Sequence, residues 1–219
     1  MITVSKEDYL KSILEAESEG EEVISARLAD WLRVSPPAVT MALRRLKKDG
    51  FVRVHGDGLV QLTAAGRKIA RKLTLRHHLI ERMLSELFGM EWWKVHDEAE
   101  RLEHAVSPDF EAKLLARLGP GGPCPHGNLS ELESPASRRR RGMLLLADAA
   151  AGKTYSVAGI YERDRRLLEF LESRGVRPGT KIRLLERNYD QTLTLSTAAG
   201  RVLLGRAAAE RVWVSPTSG

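Results

Sequence analysis

Residues 21–62, EEVISARLADWLRVSPPAVTMALRRLKKDGFVRVHGDGLVQL, constrain the fold more than any other part of the chain. Ser25 is the expected N-cap of a short helix carrying Leu28, Ala29 and Leu32 on one side. Arg33 and Val34 leave room only for a tight link. Ser35 is then expected to cap a second helix, with Pro36 at its first position, where the missing N–H costs nothing. Val39, Leu43 and Leu46 recur at helical spacing as a buried stripe, and Gly50 ends the helix. Two β-prone runs follow, on either side of His55-Gly56-Asp57-Gly58, a strong hairpin turn signal.

Two short helices joined by such a link, then a hairpin, make a winged helix-turn-helix. The outward face of the second helix carries Thr40, Met41, Arg44, Arg45, Lys47 and Lys48. Charge is distributed to match. Residues 27–76 have net charge +9, whereas residues 1–26 have −5 and residues 77–119 have −4. A winged helix used only for protein contacts would not need that excess. Neutralisation of phosphates does, so double-stranded DNA is the expected partner.

The 219 residues are too many for one small domain, and the 42% hydrophobic, 29% charged composition suits a protein with a real core. No apolar run is long enough to span a membrane, and MITVSKEDYLKS has no signal-peptide pattern. A single cysteine, Cys124, excludes an intramolecular disulfide and fits a reducing cytoplasm.

The second acidic block contains four of the six histidines. Thr63 is expected to cap a long helix running to Gly89, on which His77 and Glu81 share a face. A further helix reads VHDEAERLEHAVS, with Val95, Ala99, Leu102 and Val106 as its apolar stripe. His96, Glu100, Glu103 and His104 fall within an arc of about 100° beside that stripe. Taken singly, each would be a solvated or backbone-satisfied side chain. Together they cost free energy through repulsion and desolvation unless a cation offsets it. Imidazole and carboxylate donors suit divalent first-row metals. The same groups leave open a metal-dependent hydrolase, with Glu100 or Glu103 as general base, although H-E-x-x-H is absent and an enzyme leaves the basic winged helix unexplained.

The chain resembles the diphtheria-toxin-repressor family of iron- and manganese-dependent transcriptional regulators. The resemblance rests on EDYL at 7–10, SPPAVT at 35–40, LTAAGR at 62–67, RHHLIER at 76–82, VHDEAERLEH at 95–104 and CPHGN at 124–128. It implies a mainly α fold with a β wing and a C-terminal all-β, SH3-like barrel. The implied divisions are a DNA-binding domain over 1–74, a helical metal-binding and dimerisation domain over 75–129, a linker over 130–143 and the SH3-like domain over 144–219. One implied metal site uses Asp8, Glu100, Glu103 and His104, and a neighbouring one His77, Glu81 and His96. Asp8 also reads as the far end of a capping box begun by Ser5. DNA contact is assigned to Ser35, Pro37, Ala38, Thr40 and Met41 beside Arg44, Arg45, Lys47 and Lys48.

The ligand set departs from the iron-type members, which have sulfur donors at the positions of Asp8 and Glu100. Its oxygen and nitrogen donors resemble the manganese type, so Mn2+ is the first expectation and Fe2+ the alternative. Lys11 stands where manganese-type members often carry a carboxylate, which favours two separate sites over one close pair. Glu162 or Asp164 is the expected contribution of the last domain. The resemblance treats CPHGN as a structural loop, and Arg138–Arg141 reads as a solvated run. Met83, Leu84, Leu87, Phe88, Trp92 and Trp93 are more apolar surface than one small helical domain buries, so a homodimer on a near-palindromic operator is expected.

Overall fold

The computed structural model describes residues 3–217. Helices α1 (Val4–Ser18), α2 (Ser25–Leu32) and α3 (Pro36–Lys48) precede a hairpin of β1 (Val52–Val54) and β2 (Val60–Leu62). The link between α2 and α3 is tight because Arg33 takes a left-handed φ of 52° and Val34 N–H donates back to Ala29 O at 3.0 Å. Leu10, Ile13, Leu28, Val39, Leu43, Leu46, Val52 and Val60 form one core. Each buried aliphatic side chain of this kind stabilises the fold by about 1.5–3 kcal/mol.

Helix starts differ in detail from the sequence reading. Ser25 is the first residue of α2 and Ile24 holds the cap position. The reason is tertiary: Val23 is buried and its carbonyl accepts from Val60 N at 2.8 Å, which keeps the preceding residues extended. Ser35 does precede Pro36 at the cap of α3, although its hydroxyl accepts no capping hydrogen bond. Thr63 caps the next helix as expected, accepting from Gly66 N at 3.1 Å.

That helix, α4 (Ala64–Arg82), continues through a π-helical turn over Met83–Leu87. Gly66 is required near its start, because a Cβ there would lie 2.1 Å from Phe51 O. Ala70 belongs to the winged-helix core, whereas Leu79, Ile80, Met83 and Leu84 form a second core with α5 (Val95–Leu102) and α6 (Pro108–Leu118). One rigid helix therefore runs through both. On α5 the stripe is shorter than its periodicity suggests. Val95 and Ala99 are buried, but Leu102 is exposed because the helix ends there and the chain turns through Glu103.

A short helix, α7 (Pro135–Arg140), lies in the segment expected to be a linker. Its arginines are not uniformly solvated. Arg138 is buried, with Nη2 3.3 Å from Asn128 Oδ1 and its guanidinium over the Trp213 ring. The remaining elements are β3 (Leu144–Leu145), β4 (Thr154–Ile160), α8 (Arg165–Ser173), β5 (Lys181–Arg187), β6 (Leu193–Thr197), β7 (Gly200–Leu204), α9 (Arg206–Ala209) and β8 (Val212–Pro216). They form an antiparallel sheet in the order β3-β8-β4-β5-β6-β7. The expected closed barrel is thus corrected to an open, SH3-like sheet. Strand β3 is only two residues long and pairs with β8 alone, too short to complete a second ladder with β7.

Trp92 and Trp93 pack against this C-terminal core, and Trp92 Nε1–H donates to Glu172 Oε2 at 2.7 Å. They do not belong to a free apolar face. Met83 and Leu84 are buried as well, which leaves Leu87 and Phe88, the latter 72% exposed.

Candidate metal centre

Three helices converge on the acidic and imidazole groups. From α1 come Asp8 and Lys11, from α4 His77 and Glu81, and from α5 and the turn after it His96, Glu100, Glu103 and His104. The groups separate into an outer and an inner cluster.

In the outer cluster, His104 Nε2 lies 2.7 Å from Asp8 Oδ1 and 3.7 Å from Glu103 Oε1, and Nδ1 lies 3.2 Å from Glu7 Oε2. Asp8, Glu103 and His104 each offer a donor atom to one common point. Asp8 is not a capping residue, since Thr3 precedes α1 and no side chain caps that helix. Burial raises its carboxyl above the ordinary value, against the pull of the His104 imidazole. Asp8, His104 and Glu103 line a cleft of about 680 Å³, together with Lys11, Glu100 and Arg163.

In the inner cluster, His77 Nε2 is 3.0 Å from both Glu81 Oε1 and His96 Nδ1, and His96 Nδ1 is 3.2 Å from Glu81 Oε1. Two imidazole nitrogens and a carboxylate oxygen face one another in a small triangle, all buried. Only a shared proton or a cation satisfies such an arrangement. Burial alone would depress the His96 imidazole. Hydrogen bonds to Glu100 and Glu81 and the charges of Glu162 and Glu81 outweigh it and push the value up to about 10. Burial likewise opposes ionisation of Glu81, but His126 and His77 hold it well below the usual carboxylate range.

Lys11 stands between the clusters. It is 3% exposed, and its Nζ lies 2.7 Å from Glu103 Oε2 and 2.9 Å from His77 Nδ1. Burial would lower its ammonium, yet the charges of Glu15, Glu103 and Glu100 keep it raised. A fixed positive charge therefore lies beside both potential cation positions, which also meet directly where His77 Nδ1 lies 2.6 Å from Glu103 Oε2. Glu100 is set apart from the outer cluster: its Oε1 lies 3.5 Å from His96 Nε2 and 3.8 Å from Arg163 Nη1. Arg163 also pairs with Glu15 of α1 and stacks over Trp31.

Of the two acidic candidates in the last domain, Asp164 is a helix cap, accepting from Leu167 N at 3.1 Å, and is exposed. Glu162 is buried beside the inner cluster, 3.7 Å from His126 Nδ1. The CPHGN loop reaches the same place. His126 O accepts from Ile160 N at 2.9 Å, and Gly127, at φ 85°, passes so close to β4 that a Cβ would lie 2.2 Å from Ala158 O. Sequence reasoning set Cys124 and His126 aside as possible ligands in favour of a structural loop, and did not single out His78. The closely spaced Cys-x-His was the available signal, and only the docking of this loop onto α4 and β4 gives it meaning.

The nine DNA-facing candidates are all exposed along α3 and its cap: Ser35, Pro37, Ala38, Thr40, Met41, Arg44, Arg45, Lys47 and Lys48. Val39, Leu43 and Leu46 bury the opposite side. The Thr40 hydroxyl donates to Pro36 O at 3.1 Å, within its own helix.

Comparison with known proteins matches three family models along the chain: the iron dependent repressor N-terminal DNA binding domain at residues 1–60, the iron dependent repressor metal binding and dimerisation domain at 63–130, and the FeoA domain at 144–216. The diphtheria toxin repressor of Corynebacterium glutamicum is 30% identical over 215 residues, 94% of each chain. The iron-dependent repressor IdeR of Mycobacterium tuberculosis is 39% identical over 122 residues, covering 56% of this chain and 53% of that protein. A manganese-dependent transcriptional repressor in complex with manganese superposes with a TM-score of 0.83 at 32% identity, over 97% of this chain and 100% of the other. The manganese regulator SloR does so with a TM-score of 0.78 at 27% identity, over 99% and 100%. Three of these relatives are repressors and the fourth a regulator, which overturns the hydrolase alternative. On the strength of similarity that runs from the winged helix through the clustered ligands to the last sheet, the chain belongs to the diphtheria-toxin-repressor family of iron- and manganese-dependent transcriptional regulators.

Proposed function

We propose that this protein is a transcriptional repressor whose affinity for operator DNA is raised by a divalent ion, Mn2+ or Fe2+. It works without enzymatic activity, as a homodimer in the cytoplasm, on genes of metal-ion homeostasis. The supporting observation is the 2.7 Å contact between Asp8 on α1 and His104 after α5, because α1 belongs to the DNA-binding core and α5 does not.

The residues fit such an ion. Asp8, Glu103 and His104 would hold it at the outer position, with Glu100 joining when it leaves Arg163. His77, Glu81 and His96 would hold a second at the inner position. No donor in either set is a thiolate, which suits Mn2+ and Fe2+. The ion supplies positive charge that offsets repulsion among the carboxylates. Lys11 already neutralises Glu103 from the interior, so the two positions stay separate. Asp8 connects the position of α3 to the state of the outer cluster. Two winged helices fixed in a dimer then meet two half-sites without further ordering cost.

On the DNA, Arg44, Arg45, Lys47 and Lys48 neutralise phosphates, while Ser35, Pro37, Ala38, Thr40 and Met41 face the groove. Met41 offers no strong hydrogen bond, so readout leans on thymine methyl groups and DNA shape. Leu87 and Phe88 provide the exposed apolar part of the dimer face. The divisions near residues 74, 129 and 143 are the proposed domain limits, with α4 continuous across the first.

The test is operator affinity of the wild type and of Asp8→Ala, with and without Mn2+. Enhancement should be large in the wild type and largely lost in the variant. Equal enhancement in both would remove Asp8 from the coupling. Metal-independent binding by the wild type would refute the reading itself.

A further inference from the structure

The acidic block at the start of the chain, net −5 over residues 1–26, has no part in the basic face of the winged helix. The fold shows where much of it goes. Glu15, Glu19 and Glu21, at the end of α1 and just beyond it, each meet an arginine from late in the chain. Glu15 pairs with Arg163, Glu19 lies 3.8 Å from Arg138 and Glu21 lies 3.8 Å from Arg211. The last domain and the segment before it thus hold the DNA-binding domain by charge.

Arg163 differs from the other two because it reaches three helices. On α1 it pairs with Glu15. On α2 its Nη2 donates to Trp31 O at 3.5 Å, and its guanidinium lies over the Trp31 ring, 4.8 Å from the centroid. On α5 its Nη1 lies 3.8 Å from Glu100 Oε1. The contact with α2 has a plain physical reason. The last carbonyls of a helix lack partners within it and favour a cation. Helix α2 has no basic residue in its own last turn, and Arg163 supplies one from the last domain. Helix α2 leads through Arg33 and Val34 straight into α3, so Arg163 braces the support of the DNA-facing helix.

We propose that Arg163 is a positioning residue that competes with a divalent ion for Glu100 and passes the outcome to the helix-turn-helix. The inference rests on the outer ion position proposed above. The two carboxylates that share the guanidinium are unequal. The Glu15 side chain is 8% exposed and that of Glu100 43%, on the wall of the cleft at the outer cluster. The longer, wetter pair is the weaker one, so Glu100 is the partner that leaves. While Glu100 faces Arg163, the guanidinium is divided between it and the winged-helix core. When Glu100 turns toward Asp8, Glu103 and His104, the charge of Arg163 falls wholly on Glu15 and the Trp31 carbonyl. The last domain then grips α1 and α2 more firmly. This is a second route from the outer cluster to α3, separate from Asp8. It needs an arginine, whose planar fork bonds and stacks at once; a lysine supplies the charge alone.

Full-length wild type, Arg163→Gln and Arg163→Lys are titrated with Mn2+ by calorimetry, the outer event being the one lost in Asp8→Ala. Hydrogen exchange over residues 25–34 is followed with and without Mn2+. Arg163→Gln removes the competitor and should bind Mn2+ at the outer position up to about fivefold more tightly, the strength of a partly exposed ion pair. A residue with only a structural role would leave that affinity unchanged or lower it. Arg163→Lys keeps a cation near Glu100 and should return the affinity toward the wild-type value. In the wild type, Mn2+ should slow exchange over α2, and both variants should lose most of that slowing. The wild-type exchange needs no variant, so the test stands even if Arg163→Gln fails to fold. Equal or weaker outer affinity in a folded Arg163→Gln, or no slowing over α2 in the wild type, overturns the inference. Operator binding is measured on the same samples. Wild-type operator binding that ignores Mn2+, beside a raised outer affinity in Arg163→Gln and slowed α2 exchange in the wild type, counts against the proposed function and supports Arg163 as the competitor.

Discussion

The outer and inner clusters use the same chemistry in opposite settings. Asp8, Glu103 and His104 open onto a cleft and connect two cores through α1. His77, Glu81 and His96 are all buried, on α4 and α5 alone. A group that senses a changing concentration must exchange with solvent and must touch the element it controls. The outer cluster meets both conditions. The inner one meets neither directly, and on the proposed reading its burial suits an ion that is held rather than exchanged. Lys11 lies beside both, with its ammonium within 3 Å of Glu103 and His77, although His77 Nδ1 also lies 2.6 Å from Glu103 Oε2, so on the proposed reading it is the Lys11 charge and not distance that would keep two ions separate.

The sharpest way to break this comparison is to remove the separator. Lys11→Met takes one partner from a buried ion pair and leaves Glu103 with the His77 imidazole as its close buried partner. Such losses cost about 3–5 kcal/mol. Urea unfolding of the metal-free variant should show a drop of that size, partly restored by Mn2+. A drop well below 1 kcal/mol would mean that Lys11 does not neutralise Glu103.

Next in size is the division of labour. Asp8→Ala should abolish most of the metal enhancement of operator affinity, a coupling of about 5–150-fold in systems of this kind. His96→Ala should retain most of it while losing one equivalent of bound Mn2+. Equal losses in operator titrations of the two variants would show that the inner position is as directly coupled as the outer.

Protons offer a third contrast. His96 is protonated in the metal-free protein up to about pH 10, so an inner ion must displace that proton. Affinity at the inner position should therefore rise with pH, by up to about tenfold per unit below that value, since ligands bind deprotonated. Calorimetric Mn2+ titrations of Asp8→Ala in buffers of different ionisation enthalpy should report proton release. A buffer-independent enthalpy would contradict the raised imidazole.

The smallest effect separates DNA from metal altogether. Arg44→Ala with Arg45→Ala should weaken binding to all sequences and flatten its salt dependence, by about 0.9 in the log–log slope for each lost phosphate contact. The fold enhancement by Mn2+ should not change, because neither arginine touches a cluster. An unchanged slope would place this part of α3 away from the backbone.

The winged helix was legible in the chain because its signals are local. Pro36 starts a helix, Gly50 ends one, His55–Gly58 turns a hairpin, and the spacing of Val39, Leu43 and Leu46 chooses the buried face wherever the element packs. The candidate ligands on one helix were legible for the same reason: His77 and Glu81 share a face by periodicity alone. Contacts across elements were not. The pairing of Asp8 with His104 spans 96 residues, and sequence by itself left Asp8 between ligand and helix cap. Lys11 read as a missing ligand, and only the tertiary structure shows it buried with its ammonium against both Glu103 and His77. Glu100 and Glu103, three apart on one arc, part company because α5 ends between them and Arg163 draws the former away. The sheet stayed open because β3 was cut to two residues, and Trp92 and Trp93 were claimed by the last domain rather than by a dimer face. Periodicity and capping act over one or two turns, so the sequence determines them directly. Which buried polar groups meet depends on how whole helices dock, and that is decided only when the cores close.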